Sequence, residues 1–169
     1  FVDCSAPLSG DGSDASPLNR LQEAVDLATT GDTINVRGGP CHQSVGVTKG
    51  VTIRGDPGLP HLIVDGHDEA CSSAGAAPAM TILTGDPVML ERFHSPILLG
   101  ERHGAGGPVN VTLTDFTDSG AFLAMGNSFP RSRVIVDRAQ GFGFGACCTP
   151  GARIEVRDSQ MTYVRIDGT

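Results

Sequence analysis

Val88-Met89-Leu90-Glu91-Arg92-Phe93 returns in outline as Val111-Thr112-Leu113-Thr114-Asp115-Phe116, then as Val134-Ile135-Val136-Asp137-Arg138-Ala139, and again as Ile154-Glu155-Val156-Arg157-Asp158-Ser159. The second apolar positions, Leu90, Leu113, Val136 and Val156, are spaced by 23, 23 and 20 residues. Within each hexad apolar residues alternate with mostly polar ones, the period of a strand that buries one face. A strand recurring at so even a step reads as one coil per repeat of a solenoid. The Leu and Asn ladder of a leucine-rich repeat is missing. In such a coil alternate residues point inward and stack on their equivalents about 4.8 Å above and below. The inner stack is then Val88 and Leu90, Val111 and Leu113, Val134 and Val136, Ile154 and Val156. Phe93, Phe116, Ala139 and Ser159 follow at the first turn.

Outward from these hexads the same grammar continues. A second strand per coil is expected at residues 97–99, 121–125, 142–144 and 163–166. Upstream, residues 32–37 alternate and stop at Gly38-Gly39, and strands are expected at 51–55, 62–66 and 80–83. One helix interrupts the pattern, over residues 19–29. Leu21, Ala24, Val25 and Ala28 recur there at helical spacing, Ser16 or Asn19 stands where a cap belongs, and Gly31 follows the end. The reading is therefore all-β, a right-handed parallel β-helix (solenoid) of about six coils with one N-terminal capping helix. A single domain spans 1–169, with the first strand, loop and capping helix in 1–31 and the coils in 32–169.

Composition agrees with short strands and frequent turns: 23 Gly and 11 Pro in 169 residues, and no Trp. The formal charge of −7 argues against nucleic acid or an anionic membrane surface as partner, since either needs a basic patch. No apolar run approaches the roughly 18 residues of a membrane-spanning helix. Lys49 is the only lysine and gives no functional indication. The five cysteines show no C-x-x-C spacing, which points away from structural zinc and toward disulfides in an oxidising compartment, with one thiol left over.

Phe1-Val2-Asp3, Leu21-Gln22-Glu23-Ala24-Val25, Gly31-Asp32-Thr33-Ile34, Val36-Arg37 and Val51-Thr52-Ile53-Arg54-Gly55 together resemble the start of right-handed parallel β-helix proteins of the pectin-lyase-like superfamily. The resemblance covers residues 1–66; the later coils match by pattern alone. It implies a helix that plugs the open end of the solenoid, coils of three strands, secretion, and action on or binding to polysaccharide. The fold also carries adhesins, so it does not by itself fix the function. Enzymes of this family commonly have more coils, and Asp167-Gly168-Thr169 ends at a strand. A further stretch of chain, or a partner covering that end, is therefore expected. The resemblance also implies a Cys4–Cys41 disulfide, and leaves Cys71 to pair with Cys147 or Cys148.

Chemistry is expected on the solvent side of the repeated strand. One residue past the second apolar position the ladder runs Glu91, Thr114, Asp137, Arg157; the next runs Arg92, Asp115, Arg138, Asp158. By resemblance, a lyase of acidic polysaccharide would hold Ca²⁺ with Glu91, Asp115 and Asp137 and remove a proton with Arg138 or Arg92. A hydrolase would use Asp115 with Asp137. His94 and His103, flanking the loop 96–107, and Arg157 would touch substrate. Neither enzyme type's signature motif is intact, and the competing reading is an Arg–Asp ladder that balances charge between coils. Asp65, His67, Asp68 and Glu69 form a second polar cluster, read either as a Ca²⁺ or Zn²⁺ site or as a solvated loop. Three classes of function remain: a polysaccharide-cleaving enzyme, a carbohydrate-binding or adhesive module, and a structural shaft segment.

Overall fold

The computed structural model describes residues 1–64, 80–94, 97–99, 107–117, 122–125, 131–147 and 152–167. In chain order the elements are β1 (Val2–Asp3), α1 (Leu21–Leu27), β2 (Thr33–Arg37), β3 (Val45–Val47), β4 (Thr52–Gly55), β5 (Met80–Ile82) and β6 (Pro87–Glu91). Then come β7 (Ile97–Leu99), β8 (Asn110–Thr114), β9 (Phe122–Met125), β10 (Arg133–Asp137), β11 (Gln140–Cys147), β12 (Arg153–Arg157) and β13 (Gln160–Asp167).

The chain is a parallel β-solenoid. One sheet runs β1-β2-β4-β6-β8-β10-β12 and the other β13-β11-β9-β7-β5-β3, and the strands within each sheet pair parallel. The winding is established over about three turns, and the expected count of about six coils is not confirmed. The register matches the hexads: Leu90 pairs with Leu113, Leu113 with Val136, and Val136 with Val156. Ile53 and Ile34 extend the same row upstream.

Val88, Leu90, Val111, Leu113, Val134 and Val136 are buried, as are Phe93, Phe116 and Ala139 at the turn. They share one core with Val45, Val47, Met80 and Ile82 of the opposite sheet. At roughly 1.5–3 kcal/mol for each large side chain removed from water, this stack is the main favourable contribution to the fold. The last rung departs from expectation. Ile154 is only partly buried and Val156 is 37% exposed, because among the described residues β12 has a strand of its own sheet on one side alone.

Residues 62–66 are not the strand expected: Leu62 and Val64 form isolated bridges to Phe93 and Cys41, and residues 65 and 66 lie outside the described residues. These bridges belong to a corner ladder, in which His94 N–H donates to Leu62, Thr117 to Phe93, Gln140 to Phe116 and Gln160 to Ala139 at 2.8–2.9 Å. The second strands β11 and β13 are longer than expected, and β3 is a three-residue strand that the sequence pattern does not reveal.

The helix is shorter than 19–29 and is capped differently. Arg20 occupies the N-cap with no side-chain bond, while Asn19 turns its amide to the Ala6 carbonyl. The helix N-terminus is served from a distance, Gln22 N–H donating to Gln43 Oε1 at 3.1 Å. Leu21, Ala24 and Val25 face the core, so α1 closes one end of the stack. Gln22 also accepts from Gly46 N–H at 2.7 Å and donates to its carbonyl at 3.3 Å, standing in for the missing neighbour of edge strand β3. Lys49 Nζ donates to the carbonyls of Val25, Asp26 and Ala28 at 3.3, 2.7 and 2.7 Å, placing a cation at the negative end of the helix dipole. A Cys4–Cys41 disulfide ties the segment after β1 to the first coil. Cys71 and Cys148 lie outside the described residues. Among the described residues, no helix is long and apolar enough to cross a membrane.

Candidate functional site

The row Arg92, Asp115, Arg138, Asp158 stands where each strand of the first sheet turns the corner. All four residues have left-handed backbones, with φ of 61°, 52°, 52° and 42°. Their amides are linked along the axis: Arg92 N–H donates to the Thr114 carbonyl, Asp115 to Asp137 and Arg138 to Arg157, at 3.0, 3.0 and 3.2 Å. The left-handed turn disfavours side chains with a Cβ, and Asp tolerates it better than Arg. The row is thus a repeated turn first and a charge ladder second.

As a charge ladder it is only partly joined. Arg92 Nη1 meets Asp115 Oδ2 at 3.0 Å. Arg138 turns instead to Asp137, its own chain neighbour, and lies 61% exposed. Glu91 is held by Arg54 of the preceding strand through Nε and Nη2. Arg157 pairs with Glu155 two residues away on the same strand, and that bond, then the charges of Arg157, Arg153 and Arg133, hold the Glu155 carboxyl below its ordinary pKa. His94 Nδ1 lies 3.2 Å from Thr117 Oγ1, a contact along the corner ladder. His103 and the Asp65, His67, Asp68, Glu69 cluster fall outside the described residues.

The expected Ca²⁺ set does not fit this geometry. Glu91 and Asp137 occupy one outward row but are separated by Thr114, and each carboxylate already has a cationic partner. Asp115 has both oxygens engaged. Among the described residues no group of three or more His, Cys, Asp or Glu side chains could hold a metal ion. The pairing of Asp115 with Asp137 for hydrolysis meets the same difficulty, as both are bound to arginine.

One partner of Asp115 was not anticipated. His61 Nε2 lies 3.2 Å from Asp115 Oδ1, across 54 positions of sequence. The segment from Asp56 to Ile63 crosses the turn row, and Arg92 Nη2 fastens it by donating to the Leu59 carbonyl at 2.8 Å. Gly55 permits this close passage: a Cβ there would stand 2.9 Å from the Arg92 carbonyl oxygen and 3.3 Å from Leu62 Cβ. Arg92 is held tightly enough that its Nε is buried with no hydrogen-bond partner. No sequence signal marks His61, because its partner is brought near only by the stacking of coils.

His61, but neither Arg92 nor Asp115, also lines one of two adjoining cavities. One, of about 300 Å³, is lined by His61 together with Leu59, Pro60 and Ile63. The other, of about 320 Å³, is lined by Phe1, Asp14, Asn35, Arg54 and Pro57, and the two share Val36, Arg37, Gly55 and Asp56. They sit at the low end of the size range of small-ligand sites. Asp115 orients the His61 ring. None of the residues lining the His61 cavity carries a hydroxyl or thiol nucleophile. Set against family models, curated proteins and solved structures, the chain finds no match in any of the three comparisons.

Proposed function

We propose that this protein is a secreted β-helix of the pectin-lyase-like kind, right-handed and of about six coils, that binds polysaccharide in the groove lined by His61, Arg37, Asp56 and Arg54. The observation that carries the reading is the pair of adjoining cavities, one largely apolar beside His61 and the other lined by Asn35, Arg37, Arg54 and Asp56. The Cys4–Cys41 bond supports an oxidising, extracellular setting. Binding is favoured over cleavage because the groups that a lyase would employ are occupied. Arg92 and Arg138 are bound to carboxylates, and the three expected calcium ligands stand apart.

The test is incubation of the protein with pectate, alginate and neutral glycans, with and without EDTA. Retention of glycan with unchanged chain length is the expected result. Absorbance from unsaturated uronate products would overturn the binding reading in favour of a lyase. Absence of both binding and cleavage would remove the polysaccharide reading altogether.

A second reading, a shaft segment, is favoured by Val156, an inward position of the stack that is 37% exposed and open to a covering partner. Sedimentation across a range of protein concentrations tests it. Self-association weakened by Val156→Asp would support a covering partner, and a monomer at every concentration would count against self-covering.

A further inference from the structure

The pairing of charges along the groove separates two classes of glycan. Arg37 donates to Asp14 through Nη1 and to the Asp14 carbonyl through Nη2, both at 2.5 Å, and Asp3 lies 3.9 Å from its Nε. Arg54 is bidentate on Glu91. A uronate entering here would compete with carboxylates already in place, on a chain whose formal charge is −7.

The second cavity instead offers partners for hydroxyl groups. Phe1 is 43% exposed and lines it. Asn35 contributes an amide with donors and an acceptor from the outward row of β2. Arg54 retains Nη1 beyond its bidentate pair, and Asp56 retains Oδ2 after its Oδ1 accepts from Gly58 N–H at 2.7 Å. A sugar hydroxyl both donates and accepts, so it bonds to such a mixed set without displacing an ion pair, and the C–H face of a pyranose suits an exposed ring. The first cavity prolongs the groove with the exposed apolar side chains Leu59 and Ile63.

We infer that the two cavities are adjoining subsites for a neutral glycan, with Phe1 beneath one sugar ring and Asn35, Arg54 and Asp56 bonding its hydroxyls. This rests on the polysaccharide-binding reading and narrows it to uncharged sugars.

Calorimetry or affinity electrophoresis of the full chain tests it, with a β-glucan, a galactomannan and a xylan set against polygalacturonate and alginate. Neutral glycan is expected to bind. Phe1→Ala is expected to weaken it about three- to tenfold and Phe1→Tyr, which keeps the ring, to retain it. Asn35→Ala is expected to weaken it by a similar factor. Thermal unfolding midpoints check that each variant is folded, and any loss on Phe1→Ala that Phe1→Tyr shares would count against the ring. Binding of polyuronates alone, falling with salt, would overturn the neutral assignment and leave the polysaccharide reading standing. Neutral binding that ignores both Phe1→Ala and Asn35→Ala would overturn the placement. Failure of every glycan to bind would remove both.

Discussion

Asp115 and Arg138 occupy equivalent positions in successive coils, yet their surroundings give opposite expectations. Asp115 joins two elements, taking Arg92 on one oxygen and His61 on the other. Asp115→Asn would leave Arg92, whose Nε is already unpartnered, without its ion pair, and is expected to cost about 1 kcal/mol in urea unfolding. The Arg138 side chain pairs with its chain neighbour Asp137 and sits in a left-handed backbone that Asn adopts more readily. Arg138→Asn is therefore expected to be neutral or stabilising, by up to about 1 kcal/mol, in the same assay. The alternating row of four was legible because equal spacing puts equivalent residues side by side. Which members bond was not, since that depends on a corner crossed by Gly55 and on a histidine far away in sequence.

Among the elements, α1 is the one whose stability comes mostly from outside itself. Seven residues are too few for an independent helix, so its end must be held by tertiary contacts. Lys49→Met removes a cation that reaches three helix-terminal carbonyls and is expected to destabilise the protein by about 1–2 kcal/mol, read from the denaturant midpoint. Nothing in the sequence around Lys49 announces this, because the strand pattern there is short and the contact runs back more than twenty residues. Asp32, just past the helix, accepts from Thr29 N–H and Oγ1 at 2.7 and 2.8 Å, and these bonds, with Lys49 nearby, hold its carboxyl below its ordinary pKa. A lowered folded-state value means that this contribution is present above the unfolded pKa of about 3.9 and is lost as pH falls through the folded one. Asp32→Asn is expected to flatten the loss of stability as the pH falls below about 4, as seen in unfolding midpoints taken across an acid series.

For the whole molecule, the disulfide links positions 37 residues apart and fastens the capped end to the first coil. Closing a loop of that length constrains the unfolded chain by about 3–4 kcal/mol, so the double variant Cys4→Ser, Cys41→Ser is expected to unfold at a correspondingly lower denaturant concentration. The architecture was legible at this scale because a solenoid repeats its own evidence: four hexads in one register make a slipped assignment of any one of them conspicuous. The opposite sheet was less so. Its strands are short or glycine-rich, as at Gly143 and Gly145 of β11, and a period of two says little over three or four residues.

The unequal steps between rungs have a consequence of their own. From Val111 to Val134 the chain takes 23 residues, and from Val134 to Ile154, the next member of that row, it takes 20, yet the strands of the first sheet keep one register throughout. Surplus length is thus taken up outside those strands, in the links from one rung to the next. Inheritance can lengthen or replace such links at little thermodynamic expense, while the rungs themselves stay fixed. Novelty in such a rod would accumulate along its rims, rung by rung, around an interior that scarcely changes.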